Sequence, residues 1–67
     1  MNNQDILDKL LDLLKIIPEG KYLERLRYNS DDETVVAEFS NLPFTRAISV
    51  AKDSKYQMVL DVINNIF

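Results

Sequence analysis

Between residues 4 and 17 the apolar side chains return with the period of an α-helix, and no other feature constrains the fold as much. At ~100° per residue, Ile6, Leu7, Leu10, Leu11, Leu13, Leu14 and Ile17 fall in one arc, with Asp5, Asp8, Lys9, Asp12 and Lys15 opposite. A helix with such a stripe must lay it against a second element. Asn2 or Asn3 can cap its start, and Asp5 sits well against the positive end of the helix dipole. Pro18 stops the helix, and Gly20 supplies backbone freedom for the exit turn.

The period then changes from helical to alternating. Residues 21–28 and 34–40 read as a hairpin around Asn29-Ser30-Asp31-Asp32-Glu33. In its second strand Val35, Ala37 and Phe39 alternate with Thr34, Glu38 and Ser40, as half-buried strands do. The first strand is less regular. Leu26 and Tyr28 share a face with Tyr22 and Glu24, whereas Leu23 falls with Arg25 and Arg27, so a bulge near Leu23-Glu24 is expected. Residues 46–51 make a third strand, with Ile48 and Val50 pointing one way. The short link Asn41-Leu42-Pro43-Phe44-Thr45 favours antiparallel pairing to the second.

A closing helix is expected over 54–67. Ser54 with Gln57 forms a capping box, and Tyr56, Val59, Leu60, Val62, Ile63, Ile66 and Phe67 share a broad face. Two striped helices and one sheet predict a single α+β domain over residues 1–67: a two-layer α-β-β-β-α arrangement, with a three-stranded antiparallel meander and both helices on one face. The other sheet face is then open to solvent.

The residue inventory removes most enzyme classes. The chain has no Cys and no His, so neither a Ser/His/Asp nor a Cys/His site can be built, nor a structural zinc site. Carboxylate or lysine chemistry needs a cleft that shifts pKa values, which a core this small rarely offers. Asp31-Asp32-Glu33 lacks the spacing of a calcium loop and reads as a solvated turn. No catalytic group, metal or cofactor is therefore expected.

Net charge is −3, which argues against broad nucleic-acid binding. The N-terminus has no basic, continuously apolar leader, and uninterrupted apolar runs reach only two to three residues. A cytoplasmic protein that does not enter membranes is the expectation. At 67 residues without disulfides, stability must come from an idealised core or from self-association, which makes a homodimer one expectation.

Two surfaces stand out as candidates for a protein partner. Leu42-Pro43-Phe44 places apolar groups on a loop, which either folds back over the core edge or presents Phe44 as an anchor; folding back is favoured. Val62, Ile63, Ile66 and Phe67 form a second candidate surface, which Met58 extends and a second subunit would cover. The equal alternative is that the whole face packs inside one chain's core. The alternative is a nucleic-acid surface built from Arg25, Arg27, Lys52 and Lys55, although the two arginines are more simply paired with Glu38 across the strands.

The helix–meander–helix order resembles the double-stranded-RNA-binding domain. That resemblance implies contacts from the first helix, the first hairpin loop and a lysine-rich start of the last helix. Here the last site reads Lys52-Asp53-Ser54-Lys55, the hairpin loop Asn29-Ser30-Asp31-Asp32-Glu33 lacks the family's Gly-Pro-x-His, and the first helix is acidic outside. The likeness is one of topology rather than of binding residues. Ile48-Ser49-Val50-Ala51-Lys52-Asp53-Ser54, with Met58 and Asp61-Val62-Ile63, is similar to a pattern in small uncharacterised proteins of Gram-positive bacteria and their phages, and implies no known activity. The leading expectation is a non-enzymatic protein–protein interaction or accessory domain.

Overall fold

A computed structural model describes residues 1–66 and shows the expected order of elements. Helix α1 (Asn3–Leu14) leads through a 3₁₀ turn (Pro18–Gly20) to β1 (Leu23–Asn29), β2 (Thr34–Phe39), β3 (Arg46–Ser49) and helix α2 (Lys55–Ile66). The strands form one antiparallel sheet in the order β1-β2-β3.

Local chemistry sets the helix ends. Asn2 accepts the Asp5 N–H at 2.8 Å, capping α1. The helix stops at Leu14, three residues before the expected Ile17. Pro18 forces its predecessor out of the helical region, and Ile17 is extended at φ −85°, ψ 151°. Gly20 does not have a positive φ, so the exit turn does not use its conformational freedom. It is needed because a Cβ there would lie 1.9 Å from the Leu14 carbonyl oxygen. The chain folds back onto the end of α1 through a contact only glycine permits.

Pairing puts Leu23 opposite Phe39 and Arg25 opposite Glu38, so Glu24 is the extra residue of the expected bulge. That one residue returns Leu23 to the same face as Leu26 and Tyr28. The three strands then point Leu23, Leu26, Val35, Ala37 and Ile48 to one side, where Leu7, Leu10 and Leu14 of α1 and Met58, Val62 and Ile66 of α2 meet them. Fully burying each Leu, Val, Ile or Met side chain among these contributes roughly 1.5–3 kcal/mol.

At α2, Ser54 accepts the Gln57 N–H at 3.1 Å, but the return half of the capping box is missing. The Gln57 side chain donates to Asp61 instead, one turn along. The apolar arcs read from the sequence are wider than the buried ones. Leu13, Ile17, Tyr56 and Ile63 were expected inside and are exposed, because a three-stranded sheet covers only the centre of each stripe. The strands also end one or two residues short of 40 and 51, and β1 starts at Leu23 rather than Lys21.

Candidate functional site

On α2 the core reading of the apolar face holds for Met58, Val62 and Ile66, while Ile63 stays exposed. Met58 and Val62 are fully buried core residues, so neither is available to a partner. Rotation of α2 about its axis turns their edge of the stripe directly onto the sheet. Phe67 lies outside the described residues.

The loop behaves differently at its two apolar positions. Leu42 is half-buried, whereas Phe44 is 59% exposed, contrary to the favoured expectation that the loop folds back. Phe44 shares one end of the domain with other uncovered apolar groups. Leu13 is 64% and Ile16 78% exposed at the end of α1, followed by Ile17 and Tyr22. Chain direction brings these together at one end of the domain: α1 runs antiparallel to β1, so its last turn lies by Leu23, the Ser40 N–H bonds the Tyr22 carbonyl at 2.8 Å, and Phe44 follows four residues later. Arg46, at the start of β3, reaches the Asn65 carbonyl at 3.3 Å and so joins the end of α2 to the same pole. Among exposed large apolar residues, Met1 and Tyr56 mark the opposite end. Ile16 carries a sequence signal that periodicity discarded: it is apolar, sits beside Ile17 and Pro18, and falls outside the core-facing arc.

The four bases of the nucleic-acid alternative do not share one surface. Arg25 and Arg27 lie together on the open sheet face, with Val36, Glu38, Ala47 and Ser49. Lys55 reaches Asn3 on the helix side, its Nζ donating to the Asn3 side chain at 3.4 Å. Lys52 sits in the turn after β3 with φ 66°. Arg25 is directly opposite Glu38, whereas Arg27 is opposite Val36. Glu38 Oε2 is shut off from solvent and accepts no hydrogen bond, so the expected pairing is not made through that oxygen.

Three depressions lie among the described residues. One of about 460 Å³ lies along the acidic side of α1 between Met1, Asp5, Asp8, Lys9 and Asp12. Another, of about 280 Å³, follows β3 past Arg46, Ala47, Ile48, Ser49 and Asn65. A third, of about 380 Å³, is lined by Arg27, Tyr28, Asn29, Ser30 and Val36. Two carboxyls have displaced pKa values, and neither lines these depressions. Asp53 is raised, chiefly by a hydrogen bond to Asp61 and then by partial burial. Asp61 is lowered by hydrogen bonds from Asp53 and Gln57. Among the described residues no group of three potential ligands could hold a metal ion, and no helix is long and apolar enough to cross a membrane.

Compared with protein-family models, with curated proteins and with solved structures, the chain matches none.

Proposed function

We propose that this chain is a non-enzymatic, cytoplasmic protein–protein interaction domain whose contact surface is the pole carrying Ile16, Ile17, Tyr22 and Phe44. The observation that carries this reading is the gathering of large exposed apolar side chains at one end of a domain that otherwise buries its core well. Apolar side chains scattered singly over a surface are ordinary, whereas several gathered in one place mark contact sites. Aromatic groups such as Tyr22 and Phe44 give much contact area for little conformational entropy.

The nucleic-acid alternative has less support, because only Arg25 and Arg27 share a face, and Tyr28 beside Arg27 is half-buried against the core rather than presented for stacking. Duplex RNA titrated at low salt separates the two readings, since genuine binding would weaken steeply as salt rises.

The test of the leading reading compares immobilised wild-type chain with Phe44→Ala and Ile16→Glu for capture of a protein partner from cell extract. Both variants keep the native circular dichroism and lose the partner. Equal capture by all three would overturn the assignment of this pole.

A further inference from the structure

The two edges of the sheet are treated differently. On β1, the groups facing away from β2 include the Leu26 carbonyl and the Tyr28 N–H. Both are taken by one side chain: Gln4 Nε2 donates to Leu26 O at 2.8 Å, and Tyr28 N donates to Gln4 Oε1 at 2.9 Å. The Gln4 amide thus stands in for one peptide of a neighbouring strand and blocks this edge between Leu26 and Tyr28.

The edge of β3 is open. The Val50 N–H bonds the Glu33 carbonyl at 2.9 Å, so alternation turns Ile48 and Arg46 towards β2 and directs the backbone groups of Ala47 and Ser49 outward. Among the described residues no hydrogen bond reaches those outward groups. Their side chains are small, and the groove along β3 leaves the strand approachable from the side.

Charge says what fits there. Arg46 stands at the start of this edge. At the far end Asp53 follows the turn, its N–H on the Val50 carbonyl at 3.0 Å, and Asp61 lies close enough to raise the pKa of its carboxyl. Asp61 shares a flank of α2 with Asn65, which walls the groove and donates to the Asp61 carbonyl at 2.7 Å. The edge therefore reads cation, two outward peptide units, carboxyl pair. Such a sequence is complementary to itself when reversed.

We propose that β3 pairs antiparallel with β3 of a second copy about a two-fold axis at Ile48, fusing two three-stranded sheets into one of six strands. Ala47 then exchanges both backbone bonds with Ser49 of the partner subunit, and Ser49 with Ala47 of the partner subunit. Arg46 comes opposite Val50 of the partner subunit, beside that subunit's two carboxyls. Since Gln4 blocks the other edge, assembly ends at two chains rather than growing into a filament. This inference rests on the reading of the chain as an interaction domain and specifies one partner, a second copy, at a surface distinct from the apolar pole.

The test is sedimentation equilibrium of the full chain from micromolar to millimolar concentration, with amide shifts followed by NMR over the same range. The mass should rise from 7.8 kDa towards twice that value, with the shifts of Ala47 and Ser49 moving most. Ala47→Pro removes only an outward N–H and should leave a monomer. Arg46→Glu should weaken association about tenfold or more, and the charge exchange Arg46→Glu with Asp61→Lys should restore it. Should Ala47→Pro fail to fold, that exchange pair decides. A monomer at every concentration overturns the pairing and leaves the capture test at the pole to judge the interaction reading. A dimer untouched by Ala47→Pro, with shifts moving at Ile16 and Phe44, overturns the edge pairing while supporting that reading. Species larger than a dimer overturn the closed two-chain assembly.

Discussion

Gln4 and Tyr28 are 24 residues apart in sequence, yet the Gln4 side-chain amide accepts the Tyr28 backbone N–H at 2.9 Å and fixes α1 on the edge of β1. The same amide donates to the Leu26 carbonyl, so one side chain docks the helix and blocks a sheet edge. Gln4→Ala leaves two backbone groups to solvent. It should lower unfolding free energy by about 1–3 kcal/mol, measured by urea titration. With both edges open, it should also form species larger than a dimer, whereas the wild type does not.

Gly20 should tolerate no side chain. A Cβ would fall 1.9 Å from Leu14 O and 2.7 Å from Leu14 C, which are backbone atoms that cannot swing aside. Gly20→Ala should destabilise by about 1–3 kcal/mol or more, because the 3₁₀ turn must lift from the end of α1. An unchanged unfolding midpoint would contradict this close approach.

Met58 and Phe44 were both candidates for a partner surface, and the structure gives them opposite environments. Met58→Ala leaves a cavity between α2 and the sheet and should cost about 2–5 kcal/mol. Phe44→Ala should change stability by no more than about 0.5 kcal/mol. Chemical unfolding of the two variants side by side checks the contrast.

Asp53 and Asp61 give stability an unusual pH dependence. Asp53 has a raised pKa, so its contribution is complete below the ordinary value of 3.8 and is lost as pH rises through the raised value. Asp61 has a lowered pKa, so its contribution is present above the ordinary range and is lost as pH falls through the lowered value. Asp53→Asn keeps a donor towards Asp61 at every pH. Its melting temperature should exceed that of the wild type at neutral pH, with the gap closing in acid as Asp53 itself takes up a proton. A gap that widens in acid would contradict the shared hydrogen bond.

Much of this architecture is legible in the sequence because periodicity reports local geometry. The stripe of Leu7, Leu10 and Leu14, the alternation of Val35 and Ala37, and the misfit at Leu23-Glu24 each have a physical counterpart in helix, strand and bulge. Features that depend on the extent of a neighbouring element were not legible. Leu13 and Ile17 belong to the apolar arc of α1 by angle, but the sheet is too narrow to reach them. Met58 lies at the margin of the α2 stripe and is buried because α2 is rolled towards that margin. Gln4 carries no local signal at all, since its partners are fixed only when β1 arrives beside α1. Arg46 shares the helix-side face of the sheet with Ala37, and only the end of α2 gives it a partner.

The proposed contact surface is the apolar pole around Ile16. The most direct measurement is the affinity of the captured partner for wild type and for Ile16→Glu, a position 78% exposed and therefore separable from folding. Binding should be at least about tenfold weaker in the variant, with the melting temperature unchanged. Equal affinity for the two proteins, or no protein retained by the wild type, would contradict it.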